Sequence, residues 1–399
     1  MDIQKLIELN HLAHDGIRKF KKKRFVFDQI CADIESRSKH FTGVLGARGS
    51  GKTILLKQLM EYFDQSFYIS LDTVDGDLFE MLHQLHRDLG IRIFFLDEVH
   101  FYPQFEGVLK KAYDFLDVKI VFTSSVALSM RESAYDLSRR VILKMLYPFS
   151  FREYIYFTQD ILKPAVTFED IISNHADKSW MQMFPFFQKY MEGGIMPFAL
   201  HEPNVPDVLD NILKTVIYKD IARAANLGVD ELDKMRKMVA FIGKSAVDGM
   251  NYSSLSRNIG ITKFKAEQYI DLLEKSFIIH RLFPKGTNVM REPKILMALP
   301  YRLLYSSLDV CMGGLREDFF VESMKMIGKE IFYLKNTRGA KTPDFLCPYK
   351  DDVIVCEIGG RTKGLQQFKG ITIKEKVVFV DGINSQGKKR PLMMLSCCA

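Results

Sequence analysis

The sequence predicts an α/β fold, with a parallel sheet covered by helices on both faces in its first 155 residues. Two observations carry that prediction. Short, very apolar runs alternate with amphipathic stretches of helical period, and the links between them are only a few residues long. The first 40 residues read as helices. Residues 41–45 (FTGVL) are apolar and bounded by glycine, as in a buried strand, and residues 52–64 read as the helix that follows. Residues 66–71 (SFYISL) read as a second strand and 77–89 as a second helix. Residues 92–96 (RIFFL) form a third strand, 103–116 a third helix, and 119–122 (KIVF) a fourth strand that runs into Thr123, Ser124 and Ser125.

After Pro148 the pattern changes. Residues 149–230 are mostly helical and rich in aromatics, with interruptions at Gly193-Gly194 and Pro197. Residues 231–285 hold compact helices and a strand-like run at 277–282. Gly286-Thr287-Asn288 and Pro293 mark a boundary. Beyond it the pattern is mixed, with strands expected at 330–334, 353–358 and 376–380.

Length and composition agree with several globular domains. A chain of 399 residues, 47% hydrophobic and 26% charged, has material for more than one core. No apolar run reaches 18 residues, so no membrane span is expected, and the acid-bearing residues 1–10 do not read as a secretory signal. The six cysteines are scattered without metal-ligand spacing, which fits a reduced, cytoplasmic setting; Cys397 and Cys398 read as an inert tail. The net charge of +7 permits contact with nucleic acid without requiring it. The densest basic run, residues 19–24 (KFKKKR), reads either as a solvated arm or as a phosphate-backbone contact.

The most specific motif is Gly46-Ala47-Arg48-Gly49-Ser50-Gly51-Lys52-Thr53, a full match to G-x-x-x-x-G-K-[ST] between a strand and a helix. Glycines let the backbone wrap a polyphosphate with its N–H groups inward, and the helix start adds free N–H groups and a positive dipole end. Lys52 supplies a cation for the outer phosphates and the Thr53 hydroxyl a ligand for magnesium. Residues 92–98 (RIFFLDE) complete the pattern as a Walker B strand. Asp97 would hold the Mg2+ directly or through water, and Glu98 would polarise the attacking water. The alternative for this acid pair is a strand-end helix cap. Thr123 or Ser124, at the end of the next strand, can sense the γ-phosphate; such residues are also ordinary turn formers. Arg139 and Arg140 read either as a surface pair or, with Arg140 preferred, as an arginine reaching the γ-phosphate of its own or a neighbouring subunit.

From the P-loop to residue 155 the chain resembles prokaryotic AAA-type ATPases, near the archaeal ATPase and STAND branches, that carry a C-terminal domain of unknown function. The residues behind the resemblance are GARGSGKT, FFLDEVHFYPQFEGVLKKAYD with its aromatic Phe105, VFTSSVAL, and LSRRVILKMLYPFSFREY. Ser138-Arg139-Arg140 stands where the family has Gly-Arg before the segment matched by residues 147–154. Residues 192–197 (EGGIMP) and 218–221 (YKDI) are further landmarks, so the resemblance extends over most of the chain. It implies ATP and Mg2+ as ligands.

Two later segments carry readings of their own. Residues 251–275 read as helix, turn at Gly260, and second helix, with a strand at 277–282 to begin a wing. Lys263, Lys265 and Gln268 would face a groove if this helix read DNA; the acids Glu267, Asp271 and Glu274 favour a protein contact or a lid. Thr342-Pro343-Asp344-Phe345 followed by Glu357-Ile358-Gly359 resembles a PD-(D/E)xK nuclease core. That resemblance implies metal binding by Asp344 and Glu357, with Glu322 as the helix acid. Gly359 occupies the position of the expected lysine, and Lys363 is the substitute at hand. Both an inactive and an active nuclease-like fold remain open.

The expected architecture is therefore a P-loop NTPase parallel sheet, a helical and winged-helix region, and a C-terminal α/β restriction-endonuclease-like domain. The boundaries are 1–25 (helical arm), 26–155 (ATPase), 156–230 (lid), 231–290 (winged helix) and 291–399 (nuclease-like). The expected function is Mg-dependent ATP hydrolysis coupled to conformational change, with DNA or a protein as partner and no membrane. The alternative is a DNA-binding protein or nuclease for which ATP is the switch.

Overall fold

The structure is a computed structural model that describes residues 3–126, 137, 139–247, 249–286, 292–334 and 342–398. Ala127, Leu128, Ser138, Thr287 and Asn288, which the sequence reading uses, lie outside the described residues. Contacts divide the chain into two units, Met1–Pro148 with Arg223–Asn226, and Phe149–Ala222 with Leu227–Ala399.

The first unit is built on a five-stranded parallel sheet of order β2-β3-β4-β1-β5, with β1 Phe41–Leu45, β2 Ser66–Ser70, β3 Ile93–Asp97, β4 Lys119–Ser124 and β5 Val141–Met145. Every residue of β1 is buried, which is what a strand covered on both faces requires. The helices are α1 Ile3–Ile17, α2 Val26–Glu35, α3 Lys52–Tyr62, α4 Leu78–Leu89 and α5 Phe105–Phe115. Asp77 caps α4 by accepting from the N–H groups of Phe79 and Glu80, and Gly90 ends it in the left-handed conformation. The core takes Ala13 of α1, Phe27 and Ile30 of α2, and Leu55, Leu56 and Leu59 of α3. Residues 3–25 thus pack with this sheet, and Asn10 accepts from the Tyr68 N–H at 2.9 Å.

Strand β5 is absent from the sequence reading. Residues 141–145 (VILKM) are as apolar as the runs read as strands, yet Ile142, Leu143 and Met145 are exposed at the sheet edge, which the sequence does not reveal. The chain leaves β1 towards one edge of the sheet, to β2, and leaves its neighbour β4 towards the other edge, across β1 to β5, so these adjacent strands send their connections in opposite directions. Ligands of open α/β sheets bind at such a point, outside the carboxyl ends of the strands.

In the second unit, a mixed sheet has the order β12-β11-β10-β9-β8, with β8 Phe332–Tyr333, β9 Phe345–Tyr349, β10 Asp352–Gly359, β11 Glu375–Val380 and β12 Lys389–Pro391. Its longer helices are α6 Phe151–Gln159, α7 Val205–Thr215, α8 Val229–Lys244, α9 Tyr252–Ile259, α10 Lys263–Lys275 and α11 Leu308–Met326. Strands β6 Ile279–Leu282 and β7 Lys294–Met297 pair antiparallel after α10. The Cys397-Cys398 segment is no loose tail. All of Leu392–Cys397 is buried, and the Ser396 hydroxyl accepts from the Phe151 N–H at 2.8 Å. The apolar run Leu392-Met393-Met394-Leu395 belongs in a core, and burial drives the thiol of Cys397 far up in pKa.

Candidate functional site

The loop after β1 is shaped by its glycines. A Cβ on Gly46 would lie 2.2 Å from the Leu146 carbonyl oxygen, so only glycine lets β1 leave the sheet there. Gly49 and Gly51 have φ of 85° and 95°, and Gly51 is the residue from which α3 starts. Lys52, 4% exposed, turns its ammonium back into the loop and donates to the carbonyls of Gly46 at 2.9 Å and Ala47 at 3.1 Å. Ser50 is fully buried, and its N–H donates to the Ala47 carbonyl at 3.1 Å.

Asp97, at the carboxyl end of β3, is 2% exposed and is surrounded by hydroxyls. Tyr68 donates to Oδ2 at 2.8 Å, Thr123 donates to Oδ1, and the Thr53 hydroxyl bonds the same carboxylate. Burial, and then the neighbouring charge of Glu98, push the carboxyl above the usual range, while these hydroxyls pull the other way. A buried carboxylate ringed by oxygen donors, one of them the P-loop threonine, suits a hard cation such as Mg2+. Among the described residues no group of three or more His, Cys, Asp and Glu side chains is placed to hold a metal ion. A P-loop magnesium needs no such group, because phosphate and water complete its shell.

Glu98 follows in the left-handed region, at φ 52°, where a non-glycine residue stores strain. Its N–H donates to Thr123 Oγ1 at 3.0 Å, and its carboxylate accepts from Ser125 at 3.1 Å. His100 Nδ1 stands 3.3 Å from the same carboxylate oxygen. Burial, then Lys52, Arg48 and Arg223, lower the His100 pKa to about 3, so the imidazole is neutral and the contact is not an ion pair. Ser124 spends its proton on the Val126 carbonyl at 2.8 Å. Arg223 donates to the Phe101 carbonyl at 2.9 Å and stacks on that ring, which adds a cation beside His100.

The structure therefore brings together the P-loop, Thr53, Asp97, Glu98, Thr123 and Ser124. It does not bring Arg140 there. Arg140 lies at the opposite end of β1, where its carbonyl accepts from the Phe41 N–H and its guanidinium pairs with Asp114 at 3.1 Å. The reading of Arg140 as a γ-phosphate contact within its own chain is corrected accordingly. No role at the site is read from the sequence for Tyr68, His100, Arg24 or Arg223, although His100 lies within the segment quoted for the resemblance and Arg24 within the basic run 19–24; each reaches the site only through the fold. The reading of the basic run 19–24 changes at its last residue. Only Arg24 departs from it, being 8% exposed and bonded to three carbonyls, while Lys19, Lys21 and Lys23 are exposed.

In the second unit, Asp344 Oδ2 accepts from the Ile358 N–H at 2.7 Å, beside Glu357, which is 1% exposed. Lys363 Nζ pairs with Glu357 Oε1 at 2.5 Å, and Glu357 Oε2 has no protein partner. A Cβ at Gly359 would lie 2.5–2.7 Å from Lys363 carbons, so the bare Cα is what admits that side chain. Burial opposes the Lys363 charge, but Glu357, Asp344 and Glu317 outweigh it and raise the pKa. Burial, followed by Glu317 and Glu357, pushes Asp344 well above the carboxylate range. Glu322 is not the helix acid of this cluster, because it bonds His280 Nε2 at 2.8 Å. Glu317, paired with Lys294 at 2.7 Å, faces Asp344 instead. The two glutamates are five positions apart on α11, about 140° around the axis.

Helices α9 and α10 meet at Gly260, φ 71°, ahead of the β6–β7 pair. Lys263 pairs with Glu292 and Lys265 with Glu231, while Gln268 is exposed. The two lysines expected to face a groove are thus engaged by acids of their own chain.

Residues 38–155 match the family model described as AAA domain, and residues 185–298 match a domain of unknown function, DUF8612. The chain is 29% identical over 408 residues to the uncharacterized protein MJ1637 of Methanocaldococcus jannaschii, a match that covers 90% of this chain and 85% of the relative. An uncharacterized protein of Haemophilus influenzae is 24% identical over 271 residues, covering 62% and 64%. Among solved structures, the RuvB Holliday junction branch migration motor of Thermotoga maritima aligns at TM-score 0.26 and 13% identity, covering 70% of this chain and 89% of that one. AMPPCP-bound DnaA of Aquifex aeolicus aligns at TM-score 0.26 and 14% identity, covering 63% and 86%. Scores this low establish no common fold. The motif, the parallel sheet and the family match together make residues 38–155 an AAA-type P-loop domain.

Proposed function

We propose that this chain is a Mg-dependent ATPase of the AAA/STAND type that couples ATP hydrolysis to a conformational change. The contact of Thr53 and Thr123 with Asp97, with Glu98 next in sequence, is the observation that carries the reading. Bound Mg2+ would neutralise developing phosphate charge. Thr53 and Asp97 would hold it, Lys52 would stabilise the outer phosphates, and Glu98 would orient and deprotonate the attacking water. Arg140 enters this reading only as a group offered to a neighbouring copy. Phosphate release by the parent chain and by Glu98→Gln tests it. The variant is expected to bind Mg·ATP and to lose release by roughly a hundredfold or more, the scale of a missing general base. Equal rates in both proteins defeat the assignment.

The assignment of domains follows the same reading: 26–155 the ATPase domain, 156–230 a lid, 231–290 a winged helix and 291–399 a nuclease-like domain, in a cytoplasmic protein. No helix among the described residues is long and apolar enough to cross a membrane. A second reading, an ATP-dependent nuclease, is favoured by one observation, the Lys363–Glu357 pair beside Asp344. Plasmid cleavage with Mg2+ or Mn2+ is expected in the parent chain and is expected to vanish in both Asp344→Asn and Lys363→Ala. Cleavage that survives either substitution rules this reading out. DNA as a partner predicts duplex binding that weakens steeply with salt.

A further inference from the structure

Residues 20–24 lie along the helix of the P-loop, and one side chain from that helix fastens them. Gln58 of α3, 6% exposed, donates to the carbonyls of Phe20 at 2.8 Å and Lys22 at 2.9 Å. The segment then delivers Arg24 behind the phosphate loop. Its guanidinium donates to the Ser50 carbonyl at 2.7 Å and, through Nη2, to the carbonyls of Tyr147 at 2.9 Å and Pro148 at 3.3 Å. Leu146 runs beside the same loop. Its N–H donates to the Leu45 carbonyl at 2.7 Å, and its own carbonyl oxygen fills the space that a Cβ on Gly46 would need.

The direction of one peptide gives these contacts a consequence. The Ser50–Gly51 peptide is trans, so its C=O and N–H point in opposite directions. With the carbonyl drawn to Arg24, the Gly51 N–H points away from it, at the start of α3, where the N–H groups of such a loop would meet a bound anion. A cation on the carbonyl also polarises the peptide and makes its N–H a stronger donor. We propose that Arg24 is a positioning residue for nucleotide binding, which locks the Ser50–Gly51 peptide so that its N–H faces the polyphosphate and ties that peptide to the Tyr147–Pro148 segment. The proposal rests on the reading of 46–53 as the nucleotide loop.

The test is calorimetric titration with Mg·ATP of the parent chain, Arg24→Lys, Arg24→Met, Gln58→Ala and Lys52→Ala. Lysine keeps the charge but has no planar fork to bridge two chain segments. Arg24→Lys is expected to fold and to weaken Mg·ATP binding by roughly tenfold, the scale of one charge-assisted hydrogen bond; Arg24→Met weakens it further. KM should rise more than kcat falls, because the lost contact is made in the ground state as well. Gln58→Ala loosens the same segment without touching the loop carbonyl, so its melting temperature should fall while its affinity stays. Parental affinity in Arg24→Lys overturns the proposal, as does an affinity loss in Gln58→Ala that matches it. Heat from Lys52→Ala equal to the parent, or none from the parent, instead removes the nucleotide site itself, and the proposal falls with it.

Discussion

His100 sits in surroundings far from those its type suggests. Buried beside Glu98 and faced by Lys52, Arg48 and Arg223, it has a pKa of about 3 in the folded chain against 6.5 for the free side chain. Between those values the unfolded chain takes up a proton that the folded one refuses. His100 therefore contributes stability that is fully present above about pH 6.5 and is lost as the pH falls towards 3, with a slope of at most about 1.4 kcal/mol per pH unit. Urea unfolding at a series of pH values should show that slope in the parent and a shallower one in His100→Gln. An identical pH dependence in the two proteins contradicts the burial of a neutral imidazole. The same residue marks the limit of motif reading. Asp97 and Glu98 are legible as an acid pair after four apolar positions, whereas nothing local to His100 distinguishes it from a surface histidine.

At the scale of elements, β1 gives the sharpest case. Gly43 sits in its middle, where a Cβ would lie 2.6 Å from Leu143 Cδ2 and 2.7–2.8 Å from the Phe122 ring. Gly43→Ala should cost about 1–3 kcal/mol by overpacking, despite alanine's better backbone entropy. Thermal unfolding reads this as a lower melting temperature, and an unchanged or higher value shows that β4 and β5 yield to the methyl. Strand and helix alternation up to β4 was legible, because buried parallel strands are apolar throughout and the helices between them are amphipathic. Strand β5, equally apolar at 141–145, meets that criterion too; what the sequence hides is that it pairs with β1 from the sheet edge and leaves Ile142, Leu143 and Met145 exposed. Glu317 and Glu322 show the same limit within one helix. Spacing places acids on α11, but only the packing of that helix decides which one meets Asp344.

For the molecule as a whole, the segment Leu392–Cys397 matters more to the second unit than its position in the chain suggests. Leu392, Met393, Met394 and Leu395 are each at most 1% exposed. Burial of such side chains is worth about 1.5–3 kcal/mol apiece, so their sum is comparable to the whole stability of an ordinary domain. A chain shortened to end at Pro391 should lose amide-exchange protection in β9, β10 and β11. Retained protection in those strands overturns this account.

The phosphate loop, the acid pair that follows it and the alternation that builds a parallel sheet can all be read from the chain before it folds. These features arise among residues near one another in the chain, where spacing and period express the physics directly. Tertiary structure alone decided that Arg24 backs Ser50, that Tyr68 and Thr123 share Asp97, and that Lys363 fills the space left by Gly359. Arg24, Tyr68 and Thr123 meet their partners across 26 to 29 positions of chain. Lys363 turns back only four positions, yet it does so through a loop whose path no helical or strand period encodes. Such meetings follow from packing and loop geometry, which a one-dimensional pattern does not carry.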